Sequence, residues 1–183
     1  GDFDGAKALF TTMRAQAEAT GNRERAMNAL MNLGQIADKQ KDFARGQACG
    51  HQALALAREI GAQQTVALCL IGQASTFVHL GDMNAARGKL REGLSLAWRI
   101  GVRPWVVWAV TIFADLAYYD GQTPRALALY GLAQRQPAFI RSFQYDLDTR
   151  LAEWGIPADE AAAGLRHGLS MDWDATIKTL LQM

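Results

Sequence analysis

The stretch "LGDMNAARGKL", residues 80–90, contains a sequence motif that recurs along the chain. It joins a glycine, an acidic residue and a large apolar residue to small residues one helical turn later. Related phrases start at Gly1 ("GDFDGAKALF"), Lys41 ("KDFARGQACG") and Gly121 ("GQTPRALALY"), so that with Gly81 the four starting points are evenly spaced. A fixed interval of about 40 residues is typical of proteins built from stacked copies of one structural unit.

A second series of glycines divides each unit in half. Gly21, Gly61 and Gly101 recur at the same interval. Each follows a helix-forming stretch, and glycine commonly ends a helix because it adopts a left-handed backbone conformation without a Cβ clash. Every unit therefore has two turn signals about 20 residues apart.

The residues between the turn signals have helical spacing. Apolar side chains recur three or four positions apart at Ala26, Leu30, Leu33 and Ala37, and Gln73 is the one polar residue at the matched positions of the next two units. Sustained alternation, the mark of a strand, is absent from the sequence. The pattern predicts an all-α chain of helical hairpins. The second helix of each hairpin has a small residue at matched places: Ala6, Gly46, Ala86 and Ala126.

These features resemble the tetratricopeptide repeat (TPR). The family's large apolar residue followed by Leu-Gly matches Leu30 with Leu33-Gly34, and its Gly-Asp-aromatic turn is similar to Gly81-Asp82-Met83. The resemblance implies a right-handed α-solenoid over residues 1–136, with a concave face that binds partners. The chain departs from the family because no proline ends a unit and because its period exceeds the usual period of about 34 residues.

Residues 137–183 lose the period and are predicted to form a non-repetitive helical C-terminal cap. A helix starting near Pro137 and ending at Gly155 is expected first, then a short helix from Pro157 to near Gly168, then a last helix capped by Ser170. The tail "GLSMDWDATIKTLL" resembles the C-terminal end of TPR regions in large bacterial signalling ATPases and transcriptional regulators. The resemblance implies that the chain is a C-terminal piece of such a regulator.

The segment 1–20 supplies a second helix without its hairpin partner. An apolar strip at Leu9, Phe10 and Met13 is therefore expected to be incompletely covered. Exposed apolar strips of this kind tend to find partners. The sequence predicts self-association through the N-terminal end.

Composition argues against several functional classes. A formal net charge of +1 gives no general attraction to nucleic acid or to an anionic membrane. The most apolar stretch, residues 105–119, is too short to span a bilayer, which needs about 20 residues. Two cysteines without metal-ligand spacing indicate a cytoplasmic protein.

No motif predicts catalysis, a cofactor or a metal. Phosphate-binding loops, nucleophile elbows and zinc-helix motifs are absent from the sequence. Cys49 and His51 lie two positions apart on a helix and so do not face each other. Asp172 and Asp174 are interpreted as charges placed at a helix start. We therefore predict a protein that is not an enzyme and has no cofactor.

The candidate binding face lies opposite the packing stripe of the first helix of each unit. Residues 105–119 form a helix that is apolar nearly all round and should be buried nearly all round. Either the chain's own C-terminal helices or a partner covers the remaining face, and Asp115 needs a donor from a ligand or from one of the chain's arginines. The predicted contact residues are Met31, Gln35, Asp38, Leu68, Ile71, Ser75, His79, Trp108, Thr111, Asp115, Tyr118 and Tyr119.

The sequence therefore predicts a non-catalytic module for protein–protein interaction or signal sensing within a larger bacterial regulator. Its partner is a protein or peptide segment, or another domain of the same parent chain. One alternative is a receptor module for a small molecule or signalling peptide, which requires a closed pocket. A second alternative is an enzyme on a helical scaffold, which requires a cleft of clustered polar residues.

Overall fold

The chain folds into helices throughout the part that the structure describes. The computed structural model describes residues 2–139 and 141–182, and the side chains of all of these but residues 141, 142 and 145. Ten helices and no strand occur there, which confirms the predicted all-α class. The helices are α1 (Phe3–Ala19), α2 (Arg23–Lys39), α3 (Phe43–Glu59), α4 (Gln63–Leu80), α5 (Met83–Arg99), α6 (Arg103–Tyr119), α7 (Thr123–Gln134), α8 (Arg141–Trp154), α9 (Ala158–Leu169) and α10 (Trp173–Gln182).

Short links connect the first seven helices, and all six links have one backbone design. After α1, the N–H of Gly21 donates to the carbonyl of Glu18, and the N–H of Asn22 donates to that of Ala17. This pair of hydrogen bonds defines the Schellman motif, which needs a left-handed residue just past the helix. The same pair recurs with positive φ at Lys41, Gly61, Gly81, Gly101 and Gly121.

Three of these links also cap the helix that follows. Asn22, Asp42 and Asp82 each accept a hydrogen bond on the side chain from the backbone N–H three residues later. A side-chain acceptor at this position satisfies one of the N–H groups that a helix start leaves open. One short segment thus ends one helix and starts the next.

The helices belong to two units, Gly1–Lys89 and Leu90–Met183. In the first unit, α2 packs on α1 and α3, and α3 packs on α4. Leu30, Leu54 and Leu70 are buried there on three successive helices. The division falls within α5 rather than between residues 136 and 137, where the sequence predicts an array to end and a cap to begin. That predicted boundary stays a prediction.

In the second unit, α7 packs against both α6 and α9. Glycines allow the α7–α9 contact. A Cβ atom on Gly131 would overlap the carbonyl oxygen of Leu165, and one on Gly168 would overlap that of Ala128. The backbone of each helix therefore lies where a side chain of the other helix would otherwise be. A residue larger than glycine at either position would prevent this close approach.

The C-terminal helices differ in detail from their predicted bounds. The helix expected from Pro137 begins at Arg141, although it ends as predicted beside Gly155, whose φ is +62°. The prediction that Ser170 caps the last helix is wrong. Asp172 caps it by accepting from the N–H of Ala175 at 2.7 Å, and Ser170 ends α9. The aspartate lies one residue before α10, where an acceptor reaches the free N–H groups.

Candidate functional site

The predicted binding residues fall in both units. Seven of them lie on α2 and α4 in the first unit, and five lie on α6 in the second. The five on α6 are Trp108, Thr111, Asp115, Tyr118 and Tyr119. Trp108, Thr111, Asp115 and Tyr118 follow one another at three or four residues, and Tyr119 lies four residues after Asp115, so the five lie along one stripe of that helix.

Helix α6 is buried on nearly every side, as its apolar composition predicts. Every residue from 106 to 117 is buried except Trp108, which is half-buried. Tyr118 is also half-buried, and Tyr119 is 50% exposed. The accessible surface of the stripe is therefore aromatic and lies at its two ends. These ends are about 15 Å apart, because each residue adds about 1.5 Å to a helix.

The middle of the stripe is a buried polar centre. Asp115 is 6% exposed, and its carboxylate Oδ1 accepts a hydrogen bond from the Tyr130 hydroxyl at 2.6 Å. The Nε atom of Arg150 lies 3.3 Å from the same oxygen. A buried carboxylate is stable only when donors replace its lost water. Asp115 thus receives the donor that the sequence required, and an arginine of the same chain is among the groups that provide it.

The protonation states of the centre favour this arrangement. Burial, followed by the negative charge of Asp115, raises the pKa of Tyr130 well above its ordinary value. The hydroxyl therefore stays protonated and remains a donor at neutral pH. Burial by itself lowers the pKa of Arg150, but the negative charge of Asp115 and its neighbours outweighs burial and leaves that pKa raised.

Helix α8 supplies a second contact four residues after Arg150. The Trp154 ring stacks on Tyr118, with ring centroids 3.9 Å apart and planes 6° apart. The Tyr118 hydroxyl also lies 3.4 Å from the Trp154 carbonyl oxygen. Residues four apart share one face of a helix, so α8 presents both side chains to α6. Of the two covers that the sequence left open, the chain's own C-terminal helix occupies this part of the stripe.

Sequence reasoning did not name Tyr130, Arg150 or Trp154 as members of this site. Their partners on α6 are 15 to 36 positions away in the chain. The available signal was indirect: a carboxylate in an apolar helix requires a donor somewhere. No pattern in the sequence singles out the arginine that provides it.

Aromatic rings outside the polar centre remain accessible. Trp108 meets Trp105 edge to face, with centroids 6.5 Å apart, and both rings are half-buried. Tyr119 meets Tyr118 edge to face at 5.7 Å. Partly exposed aromatic rings that are held by neighbours supply contact area at a small entropic cost.

The first unit holds a different group of side chains. Asp38 is half-buried, and its Oδ1 is buried without a hydrogen-bond partner among the described residues. That oxygen occupies the space beside Gly46 that a Cβ atom would fill. Burial raises the pKa of Asp38, although the charge of His79 and a hydrogen bond with Thr76 oppose the rise.

His79 contacts an aromatic ring and a backbone carbonyl. Its ring stacks on Phe43 with centroids 5.5 Å apart, and its Nδ1 lies 2.8 Å from the Ser75 carbonyl oxygen. Because a carbonyl only accepts, Nδ1 is the donor. The remaining predicted residues of this unit differ in exposure: Gln35 is exposed, Met31, Leu68 and Ser75 are half-buried, and Ile71 is fully buried and so offers no surface to a partner.

The cysteines are poorly suited to nucleophilic chemistry. Cys49 and Cys69 are both free thiols and buried. Burial raises the pKa of Cys49 and raises that of Cys69 to about 11. The reactive thiolate is therefore scarce at neutral pH. Within residues 2–139 and 141–182, no three His, Cys, Asp or Glu side chains come together as a metal site requires.

The comparisons with known proteins assign no family. No protein-family model matches the chain, and the searches of curated proteins and of solved structures found no match. In the described part of the chain, no helix has both the length and the apolar character needed to cross a membrane.

Proposed function

We propose that the chain is a TPR-like module that binds a protein or peptide segment and makes or breaks no covalent bond. Its helical hairpins would stack as a right-handed solenoid within a larger bacterial regulator that works in the cytoplasm. The positions of the helices support this proposal. Helices α1, α3, α5 and α7 start at one constant interval along the chain, and α2, α4 and α6 start at the same interval. Repeats of this kind build long, rigid binding surfaces.

The accessible aromatic surface of α6 is the observation that carries the proposal. Trp108 is half-buried and Tyr119 is 50% exposed, and the two lie at opposite ends of a stripe whose middle is the buried Asp115 centre. Aromatic side chains contribute most to the energy of many protein interfaces, because each buries a large apolar area. A partner segment that lies along the stripe would meet one ring at each end.

Photo-cross-linking in the source cells tests the proposal, because it captures a partner whose identity need not be specified. A photoreactive phenylalanine analogue would replace Trp108 or Tyr119, and a third chain would carry it at Leu169. Leu169 is 45% exposed in the same unit but lies on α9. We expect one partner to be captured from the first two positions and not from the third. Capture from all three positions, or from none, would contradict the proposal.

The captured partner then allows an affinity measurement. We expect Trp108→Ala to weaken binding by roughly 1–3 kcal/mol and to leave the circular dichroism spectrum unchanged. Tyr118→Ala serves as the comparison, because it also removes the stack on Trp154 and should lower the melting temperature. If Trp108→Ala leaves affinity per folded molecule unchanged, Trp108 belongs to no binding face.

A further inference from the structure

Two helices pack on the α6–α7 pair of the second unit in different ways. Helix α9 is interlocked with α7, because Gly131 and Gly168 bring backbone atoms of one helix into the space beside the other. A Cβ atom on Gly164 would also overlap the Leu127 side chain. Contacts of this kind show that α7 and α9 are closely packed.

Helix α8 is held instead by side chains of one face. Among its described side chains, Leu147 is fully buried, and the half-buried ones are Phe143, Gln144, Arg150, Leu151 and Trp154. These residues occupy positions that recur every three or four residues, 143–144, 147, 150–151 and 154, and form one stripe. The side-chain oxygen Oε1 of Gln144 accepts a hydrogen bond from Nε2 of Gln134 at 2.9 Å. The residues on the other faces are exposed: Asp146, Asp148, Thr149, Ala152 and Glu153.

The contacts of α8 include several that are typical of an interface. Besides the buried Leu147, the helix makes an ion pair, a pair of stacked rings and an amide–amide hydrogen bond. The indole Nε1 of Trp154 is buried without a hydrogen-bond partner among the described residues. A core seldom leaves such a donor unpaired. Interfaces often rely on an arginine and an aromatic residue as anchors.

The described chain on either side of α8 is not helical, so α8 is not continuous with α7 or α9. No helix is present at residues 135–139 before it, and Gly155 follows it with a φ of +62°. Pro157 then precedes α9. Release of α8 would therefore leave the interlocked α7 and α9 unchanged.

We propose that α8 is the chain's own displaceable occupant of the α6 binding face, and that the face fits a partner helix that carries an arginine and a tryptophan four residues apart. This inference rests on the proposed function, because it names the partner class of the same face and its competitor. Asp115 with Tyr130 receives the arginine, and Tyr118 receives the tryptophan. A tethered segment competes at an effective concentration of about a millimolar, so a weak internal helix stays mostly docked until a tighter partner arrives.

A peptide of residues 141–155 supplied in trans tests the recognition. It would be labelled with a fluorophore and added to the full chain and to a full chain that carries Arg150→Ala and Trp154→Ala. We expect the doubly substituted chain to bind at least tenfold more tightly, because its own α8 no longer competes. A peptide with the same two alanines should not bind, and Tyr118→Ala added to the opened chain should abolish binding of the wild-type peptide. Equal binding by the wild-type and opened chains would overturn the proposal, and so would no binding by an opened chain that keeps its helical circular dichroism spectrum.

Hydrogen exchange on the unsubstituted chain provides a test that does not depend on the variants folding. We expect the amides of 141–154 to exchange faster than those of 158–169, and saturating peptide to accelerate exchange in 141–154. Exchange of both segments at one common rate would show that they open as one unit and would overturn the proposal. Cross-linking at Trp108 reports on an outside partner independently. A captured partner with failed peptide tests would leave the proposed function intact and remove this inference alone.

Discussion

At the scale of single residues, the buried polar side chains divide into those with partners and those without. Asp115 receives a tyrosine hydroxyl and an arginine. Gln73 is 3% exposed, and neither atom of its amide has a hydrogen-bond partner among the described residues. A buried polar group without a partner loses the hydrogen bonds that water provided in the unfolded chain. Gln73 therefore lowers stability, whereas Asp115 helps to define one packing of the second unit.

Replacing Gln73 by leucine should stabilise the protein. The two side chains have similar volume, and leucine needs no hydrogen bond. We expect the free energy of unfolding to rise by about 1–3 kcal/mol, the usual penalty for an unpaired buried group. Urea denaturation measures it. Gln64→Leu on the exposed face of the same helix is the control and should change stability by less than about 0.5 kcal/mol. A loss of stability in Gln73→Leu would mean that the amide has a partner after all.

Asp38 should make the stability of the folded protein depend on pH. Its pKa is raised in the folded chain, mainly by burial, so the folded state binds the proton more tightly than the unfolded state. Its stabilising contribution is complete below the unfolded pKa and is lost as pH rises through the raised folded pKa. We therefore expect the stability of the wild-type protein, relative to Asp38→Asn, to fall as pH is raised above about 4, the pKa of an aspartate in the unfolded chain. Urea denaturation of both proteins across this range measures the difference, and a difference that grows with pH would contradict the assignment.

At the scale of the elements, the turns account for the order of the first seven helices. The Schellman hydrogen bonds close over a single helical turn and the link itself, so each link forms from its own local sequence. The predicted glycine stops at Gly21, Gly61 and Gly101 are confirmed, since all three have positive φ. Lys41 takes the same conformation with φ of 61°, although it carries a Cβ atom.

Lys41 and Gly61 offer a matched pair of substitutions. A residue with a Cβ atom in the left-handed conformation costs roughly 1–2 kcal/mol. We expect Lys41→Gly to raise the free energy of unfolding by about 1 kcal/mol, once the greater freedom of glycine in the unfolded chain offsets part of the gain. Gly61→Ala should lower it by about as much. Thermal or urea unfolding checks both, and changes of the same sign would exclude a conformational origin.

The α7–α9 contact predicts opposite effects of one substitution at two glycines. A Cβ atom on Gly168 would overlap backbone of α7, so Gly168→Ala should destabilise the protein by roughly 1–3 kcal/mol. Gly88 lies on exposed helix with nothing within 4 Å of its would-be Cβ. Gly88→Ala should therefore stabilise the protein by about 0.8–1 kcal/mol through helix propensity alone. If both substitutions stabilise, α7 and α9 are less closely packed than the structure has them.

At the scale of the whole molecule, the exposed apolar side chains of the N-terminal helix α1 predict that copies of the protein associate with one another. In α1, Leu9 is 65% exposed, and Phe10 and Met13 are half-buried. Among the described residues of α1, only Ala17 is buried. An apolar strip that remains in contact with water favours contact with another surface of the same kind.

We therefore expect the protein to self-associate through α1 as its concentration rises. Leu9→Glu should restore the monomer mass in light scattering, because a charge on the strip opposes its burial. Leu80→Glu is the matched control, since Leu80 is 48% exposed on another helix of the same unit. A strict monomer at millimolar concentration would contradict the prediction, and equal effects of the two substitutions would remove α1 as the contact.

The features that the sequence alone predicted are those whose causes are local. The helical class, the six links and the near-complete burial of α6 follow from hydrogen bonds and side-chain periodicity over a few residues. Local reasoning fails where two acceptors compete for one role, as when Asp172 rather than Ser170 caps α10. The two residues are only two positions apart, and the exact end of α9 decides between them.

Only the tertiary structure decided which side chains meet across the second unit. Asp115 required a donor by its sequence context, but Tyr130 and Arg150 are the donors because α7 and α8 bring them to it. Trp154 reaches Tyr118 from 36 positions away in the chain for the same reason. Periodicity along a helix indicates which face is buried, but it does not indicate which residues pack against that face. That choice depends on how whole helices pack, and the packing energy comes from many distant residues acting together.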